Sequence, residues 1–136
     1  MIIPKKITAN GKRKTSIAKA TIQSGAGHIL INRVPYQNLD FMKKLSIEEP
    51  VEITKNTLGE FKFDIHVNVK GGGNESQIEA SRLAVARALI AFTKSEELKK
   101  SFLRYDKNLL VADTRRKEAY KPGDSKARRK RQKSFR

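Results

Sequence analysis

FKFDIHVNVKGGGNESQIEASRLAVARALIAF, residues 61–92, decides the fold. Over its first ten residues Phe61, Phe63, Ile65, Val67 and Val69 point one way and Lys62, Asp64, His66, Asn68 and Lys70 the other, the period of a strand with one packed and one polar face. Three glycines, Gly71 to Gly73, interrupt it. Asn74 with Gln77 three positions later then reads as an N-cap and capping box, opening a helix that runs to about Phe92. Alanine, the best helix former, recurs at 80, 84, 86, 88 and 91, and Ile78, Val85, Leu89 and Phe92 form a stripe suited to lie on a sheet, with Glu79 and Arg82 on the polar side. A strand feeding directly into a helix that covers it predicts an α+β class, a β-sheet with helices packed on one side.

Upstream, Ala18, Ala20 and Ile22 alternate with Lys19, Thr21 and Gln23; the turn residues 24–27 (Ser-Gly-Ala-Gly) follow, and an apolar run resumes over 28–32. This pattern predicts a β-hairpin. Pro35 suits the first turn of a short helix to about Leu45, with Leu39, Phe41, Met42 and Leu45 as its buried side. Residues 46–58 read equally as helix or strand, divided by Pro50. Downstream, Thr93 with Glu96 gives a second capping signal, and Leu98, Phe102 and Leu103 mark the inner face of another helix. The predicted order is β-β-α-(α or β)-β-α-α, followed by a tail.

Composition narrows function before any motif does. The chain has 136 residues, 30 Lys plus Arg against 14 Asp plus Glu, a net charge of +16, and no cysteine. One small domain with an appendage fits this length, and a large cofactor enzyme does not. No disulfide, thiolate nucleophile or Cys-based zinc site is available, in keeping with a reducing compartment. The beginning of the sequence lacks the apolar stretch of a secretory signal, and no run of about 18 uncharged apolar residues occurs, so a soluble, cytoplasmic protein without a membrane partner is expected. So large a positive charge repels itself and calls for a polyanion, of which nucleic acid is the commonest.

Half of the net charge sits in residues 113–136, which hold 11 basic and 3 acidic side chains, +8 on 24 residues. The segment's apolar side chains are Ala119, Tyr120, Ala127 and Phe135, with Pro122 and Gly123 against any helix. Ordering it costs roughly 1–2 kcal/mol per residue in backbone entropy, with almost no burial to offset the loss, so its shape must come from a partner. Fully extended, 24 residues reach roughly 80 Å, far beyond the roughly 13 Å radius of gyration of the body. The expected organisation is a globular RNA-binding body over 1–112 and an extended basic tail over 113–136.

Catalytic readings fare poorly. Gly71 to Gly73 before a helix suggests an anion cradle, but no Gly-Lys-Ser/Thr follows, so the turn is no P-loop; it lets an RNA backbone approach, or simply allows a sharp strand-to-helix turn. Asp64 and His66 share a strand face without a nucleophile beside them, and His28 lies in a turn. Asn74-Glu75-Ser76 matches a glycosylation triplet by accident in an intracellular chain. No catalytic residue, metal ligand or cofactor is implied. The basic clusters remain: Lys12, Arg13 and Lys14 with Lys19 at a strand end, and Arg115, Arg116, Lys117, Lys121, Lys126, Arg128, Arg129, Lys130 and Arg131 in the tail. Arginine forks match phosphate bidentately, and the interleaved small residues let a chain thread between RNA helices.

The run GGGNESQIEASRLAVARAL from Gly71, with GKRKTSIAKATI from Gly11, GAGHILIN from Gly25 and the closing KSFR, resembles the family of the ninth small-subunit ribosomal protein over nearly the whole chain. The long ending, LLVADTRRKEAYKPG and then ARRKRQKSFR, is similar to the archaeal and eukaryotic branch, with Phe135 where that branch usually has Tyr. The resemblance implies a fold like the second domain of the fifth small-subunit protein, docked in the head of the small ribosomal subunit among neighbouring ribosomal proteins. It further implies a tail running through ribosomal RNA (rRNA) toward the peptidyl-site transfer RNA (tRNA), whose anticodon stem-loop Lys133, Ser134, Phe135 and Arg136 would approach. The function so implied is structural and non-enzymatic. The rival readings are a free-standing RNA chaperone or architectural protein and a small RNA-processing enzyme.

Overall fold

The computed structural model describes residues 5–123 and 126–129. Their elements are β1 (Ile7–Arg13), β2 (Ser16–Ser24), β3 (Ile29–Ile31), β4 (Val34–Pro35), α1 (Phe41–Leu58), β5 (Phe63–Lys70), α2 (Asn74–Thr93) and α3 (Glu96–Tyr105), with short 3-10 turns at Tyr36–Asn38 and Lys107–Leu109. The strands form one mixed sheet in the order β1-β2-β5-β3-β4. β5 is antiparallel to β2 and parallel to β3.

The alternation read from residues 61–70 is obeyed. Ile65, Val67 and Val69 of β5 and Ala18, Ala20 and Ile22 of β2 are buried, whereas His66, Asn68, Lys70, Ile17 and Lys19 are exposed. α2 covers the buried face across β1, β2 and β5, and α1 and α3 pack on α2 and on each other. The core is built from Ile22, Ile65, Val67, Val85, Leu89, Leu98, Phe102 and Leu109, all buried. Phe92 is half-buried at its edge, edge-to-face with Phe63 at 5.5 Å between ring centroids. The approach of α2 to β1 is close enough to require glycine: a Cβ at Gly11 would run into the Ala80 carbonyl oxygen and lie 2.7 Å from the Ala84 nitrogen. The opposite face of the sheet carries no element of the described chain.

The expected hairpin of residues 15–23 with 28–32 does not form. β5 lies between β2 and β3 and pairs with both. Residues 25–28 wrap the start of β5 instead: Gly25 N–H donates to the Lys62 carbonyl at 3.0 Å, Ile65 N–H donates to His28 O at 2.8 Å, and the Asp64 carboxylate accepts the N–H groups of Ala26, Gly27 and His28 at 3.0, 3.1 and 3.0 Å. These bonds, the one from His28 first, hold the Asp64 carboxyl below its ordinary range. The longest alternating segment thus wins the central position, where it satisfies two neighbours. A strand was also overlooked: β1 pairs with β2 through a two-residue turn, Lys14-Thr15.

The helix expected from Pro35 to Leu45 begins at Phe41, and Pro35 belongs to the edge strand β4, where its missing N–H costs nothing. Residues 46–58 are the body of that helix despite the interior Pro50. The buried stripe is Ile47, Pro50, Val51 and Thr54, at helical spacing against α2, and Thr54 Oγ1 donates back to the Pro50 carbonyl at 2.7 Å. Burial of the proline ring there offsets the one hydrogen bond it cannot donate. Of the expected inner side, Leu39 packs against the core just before the helix, but Phe41 and Met42 are 72% and 71% exposed and Leu45 is exposed as well. Leu103 is likewise exposed, leaving Leu98 and Phe102 as the inner face of α3.

Both cap assignments shift by a residue or two. Gly73, not Asn74, is the N-cap of α2, and Ser76 Oγ accepts its N–H at 3.1 Å while the Gln77 amide donates to Gly71 O at 3.1 Å. Thr93 is the last residue of α2, its hydroxyl donating to Leu89 O, and Ser95 caps α3 by accepting the Leu98 N–H at 3.3 Å.

Candidate nucleic-acid interface

The predicted Lys12-Arg13-Lys14 cluster divides at the sheet. Lys12 and Lys19 lie on the uncovered face, and Lys14 occupies the β1–β2 turn at φ 53°, all three exposed. Arg13 points the other way, toward α2, with its side chain 14% exposed. Its Nε donates to Glu79, and one terminal nitrogen lies 3.5 Å from Asp113. Two more arginines are spent inside the body. Arg82 joins α1 to the end of α3 through Glu49 and Asp106, the latter at 3.2 Å. Arg87 donates to Asn10 O at 2.9 Å and to Leu110 O at 3.0 Å, fastening the root of the tail to β1. The cleft of about 380 Å³ that Lys12, Arg13, Arg82 and Arg115 line also holds Glu49, Glu79, Asp106 and Asp113. Its charges offset one another, which leaves little field there for an external anion.

The glycine turn packs directly on the β1–β2 turn. Gly71 and Gly72 have φ of 80° and 64°, and a Cβ at Gly71 would lie 2.5 Å from Thr15 O while one at Gly72 would overlap the hydroxyls of Ser16 and Ser76. The buried Ser16 hydroxyl reaches Gly71 O at 2.8 Å and Ser76 Oγ at 2.9 Å. The first two glycines are therefore demanded by the fold. Gly73 has open space around its Cα. Lys12, Lys14, Lys19 and the three glycines thus gather at one end of the sheet.

The tail leaves the body at Asp113. That carboxylate accepts from Arg115 Nη2 at 2.8 Å and from its backbone N–H at 2.9 Å, and with Arg13 nearby its pKa is lowered to about 2, chiefly by the Arg115 side chain. Residues 113–123 and 126–129 contain neither helix nor strand. Arg116, Lys117, Lys121 and Lys126 are exposed, with the Lys117 ammonium 4.3 Å from the centroid of the Tyr120 ring. Arg128 donates to Glu118 at 2.9 Å, and Arg129 closes a turn on Lys126 O through its backbone N–H at 3.0 Å. Lys130, Arg131, Lys133, Ser134, Phe135 and Arg136 lie outside the described residues.

Of the Asp64–His66 pair, Asp64 is committed to the 26–28 loop and His66 stands exposed on the open face, which is no catalytic geometry. Lys70 is an exposed cation of this region that sequence reasoning did not single out. The alternation places it with Asn68 on the polar face, and the register sets it beside Ile17, with β2 between it and Lys12. Among the described residues, no helix is long and apolar enough to cross a membrane.

Comparison with known proteins identifies the family. Residues 11–136 match the family model described as ribosomal protein S9/S16. A protein of Methanococcus vannielii named small ribosomal subunit protein uS9 is 46% identical over 129 residues, 93% of this chain and 95% of that protein. Proteins of the same name from Desulfurococcus amylolyticus and Pyrobaculum aerophilum are 44% and 43% identical over 133 and 134 residues, 96% and 98% of this chain and 92% and 93% of theirs.

Proposed function

The chain belongs to the ribosomal protein S9/S16 family, and from that premise we propose that this protein, a non-enzymatic structural constituent of the small ribosomal subunit in translation, binds small-subunit rRNA in the head and reaches peptidyl-site tRNA with its last residues. Its mechanism is phosphate neutralisation coupled to ordering of the tail. The observation that carries the reading is how the cations are distributed. Arg13, Arg82 and Arg87 are consumed by internal carboxylates and carbonyls, while Lys12, Lys14 and Lys19 and most described tail cations face solvent. A body that spends its half-buried arginines on itself and leaves Lys12, Lys14 and Lys19 exposed, with +8 on the final 24 residues, is suited to bind a polyanion.

In this reading Lys12, Lys14, Lys19 and the open side of the Gly71 to Gly73 turn meet rRNA beside the body. Residues 115–131 run through it, and Lys133, Ser134, Phe135 and Arg136 meet the anticodon stem-loop. Deleting residues 132–136 leaves subunit assembly largely intact and weakens tRNA at the peptidyl site, measured by filter binding of tRNA to assembled subunits. Unchanged occupancy refutes the assignment of the last residues.

A further inference from the structure

The outer side of α1 is apolar where a solvent-facing helix is ordinarily polar. Phe41 and Met42, its first two residues, are the two most exposed large apolar side chains among the described residues, and Leu45 follows one turn on, exposed too. At about 100° per residue the three share an arc of about 100°, turned away from the buried stripe of Ile47, Pro50, Val51 and Thr54. Tyr105 at the end of α3 adds an exposed ring: it neighbours Glu49, one turn beyond Leu45, whose carboxylate holds the phenol above its ordinary range. Single apolar residues on a surface need no explanation, whereas a ridge of them marks a place of contact. Phe, Met and Tyr are also the types that gather at the centres of protein interfaces.

The charge around this ridge is unlike that of the rest of the chain. Residues 40–60 hold five acidic and three basic side chains, a net charge of −2, which leaves +18 on the remainder. Each of the three lysines there is paired: Lys43 with Asp40 at 3.1 Å, Lys44 with Glu48 at 3.7 Å and Lys55 with Glu52 at 2.9 Å. The exposed Asp40 also stands at the positive end of the helix dipole, where a phosphate would otherwise be favoured. An incoming phosphate therefore meets carboxylates and cations already engaged. Glu48 and Glu52 lie two turns beyond Phe41 and Leu45 respectively, on the same outer side. Their solvent-facing pairs with Lys44 and Lys55 contribute little and exchange readily for the cations of a partner.

We propose that the ridge of Phe41, Met42 and Leu45 is the docking site of a neighbouring protein of the small subunit, through a basic segment that seats an apolar side chain on the ridge and sets its cations on Glu48 and Glu52. This role rests on the reading of the chain as a constituent of that particle. A protein that shares the same rRNA carries excess cations for the reason this one does, and on α1 it meets carboxylates rather than a second excess of lysines. The apolar contact supplies affinity and the acidic rim selects the partner. RNA fits less well, because a base stacked on Phe41 would bring its phosphates against Asp40, Glu48 and Glu52.

The test uses the full chain with photoreactive benzoylphenylalanine in place of Phe41, assembled into small subunits that are purified, irradiated and digested with nuclease and protease. The crosslink should fall on a peptide of a second protein, one with more Lys and Arg than Asp and Glu, and E48Q/E52Q in the same chain should lower its yield severalfold. These substitutions remove solvent-facing pairs only, so the isolated variant should melt with the parent. A crosslink to rRNA, to the same chain or to an acidic peptide would overturn the proposal, as would no crosslink or a yield indifferent to the two glutamates. Peroxide oxidation of Met42 gives a reading without any substitution: open to attack in the isolated chain, it should react roughly tenfold more slowly in subunits. Equal rates would leave the ridge facing solvent and overturn the docking. A parent chain that does not enter small subunits at all would remove the underlying reading itself, a result distinct from each of these failures.

Discussion

A chain ending at Ala112 folds, yet binds small-subunit rRNA on the order of a thousandfold more weakly and with much of its salt dependence gone. The body survives because its core closes without the tail: Leu109 is buried and Arg87 ties Leu110 to β1, both within the retained residues. Truncation removes Asp113, but Arg13 keeps Glu79. Eleven cations are lost with the tail. At about 0.9 per neutralised phosphate the slope falls by several units, with about ten as the ceiling if every one of them meets RNA. Arg115 and Arg128 are already engaged with Asp113 and Glu118 in the free chain and must exchange partners, which lowers their share. Titration of parent and truncated chains against the same transcript from low to moderate salt measures this directly. An unaltered slope excludes the tail as the main RNA ligand, and equal binding of unrelated RNAs by the parent favours a general chaperone.

Gly11→Val should be the most damaging single substitution in the body. Its side chain would enter the backbone of α2 at Ala80 and Ala84, atoms that cannot turn aside as a flexible side chain can. Separating α2 from β1 opens the contact between the main helix and the sheet. Overpacking of this kind costs about 3 kcal/mol, a fall in Tm of roughly 10–15 °C for a body of this size. Gly59→Ala is the control: φ there is 82° but no atom lies within 4 Å of the added Cβ, so only the backbone penalty of about 1 kcal/mol applies. Thermal melts of the two variants separate close packing from conformational preference, and equal losses contradict the packing explanation.

Local periodicity announced β5 and α2 because both bury a face whose spacing is complete within one segment: Ile65, Val67 and Val69 at period two, Ile78, Val85 and Leu89 at helical period. Strand pairing was not legible. The runs at 15–23 and 28–32 look like a hairpin when β5, distant in sequence from both, is not weighed as a competitor for each. α1 was hidden by Pro50, although Ile47, Pro50, Val51 and Thr54 carry the correct spacing once a proline is allowed to be a core residue. β1 is not marked by its own pattern, because Gly11, Lys12 and Arg13 break the apolar alternation and the need for a glycine at position 11 comes from α2 lying over it.

At the site, residue type was legible and direction was not. Lys12 and Arg13 are equally basic in sequence, but alternation sends Lys12 to the open face and Arg13 under α2 to Glu79. Gly71 to Gly73 looked like one cradle, yet the first two serve the turn against Thr15 and Ser16 and only Gly73 stands clear. Nothing local marks Lys70 apart; only the register that sets β5 beside β2 and β1 brings it into line with Lys12.

The central claim is that RNA, not the protein's own core, gives the basic arm its shape. Amide hydrogen exchange across residues 113–136, followed in the isolated chain and in assembled small subunits, tests it most directly. Strong slowing throughout the arm on entry into the subunit, with the body amides of β2, β5 and α2 little changed, is the predicted outcome. An arm already as protected in the isolated chain as in the subunit would contradict it.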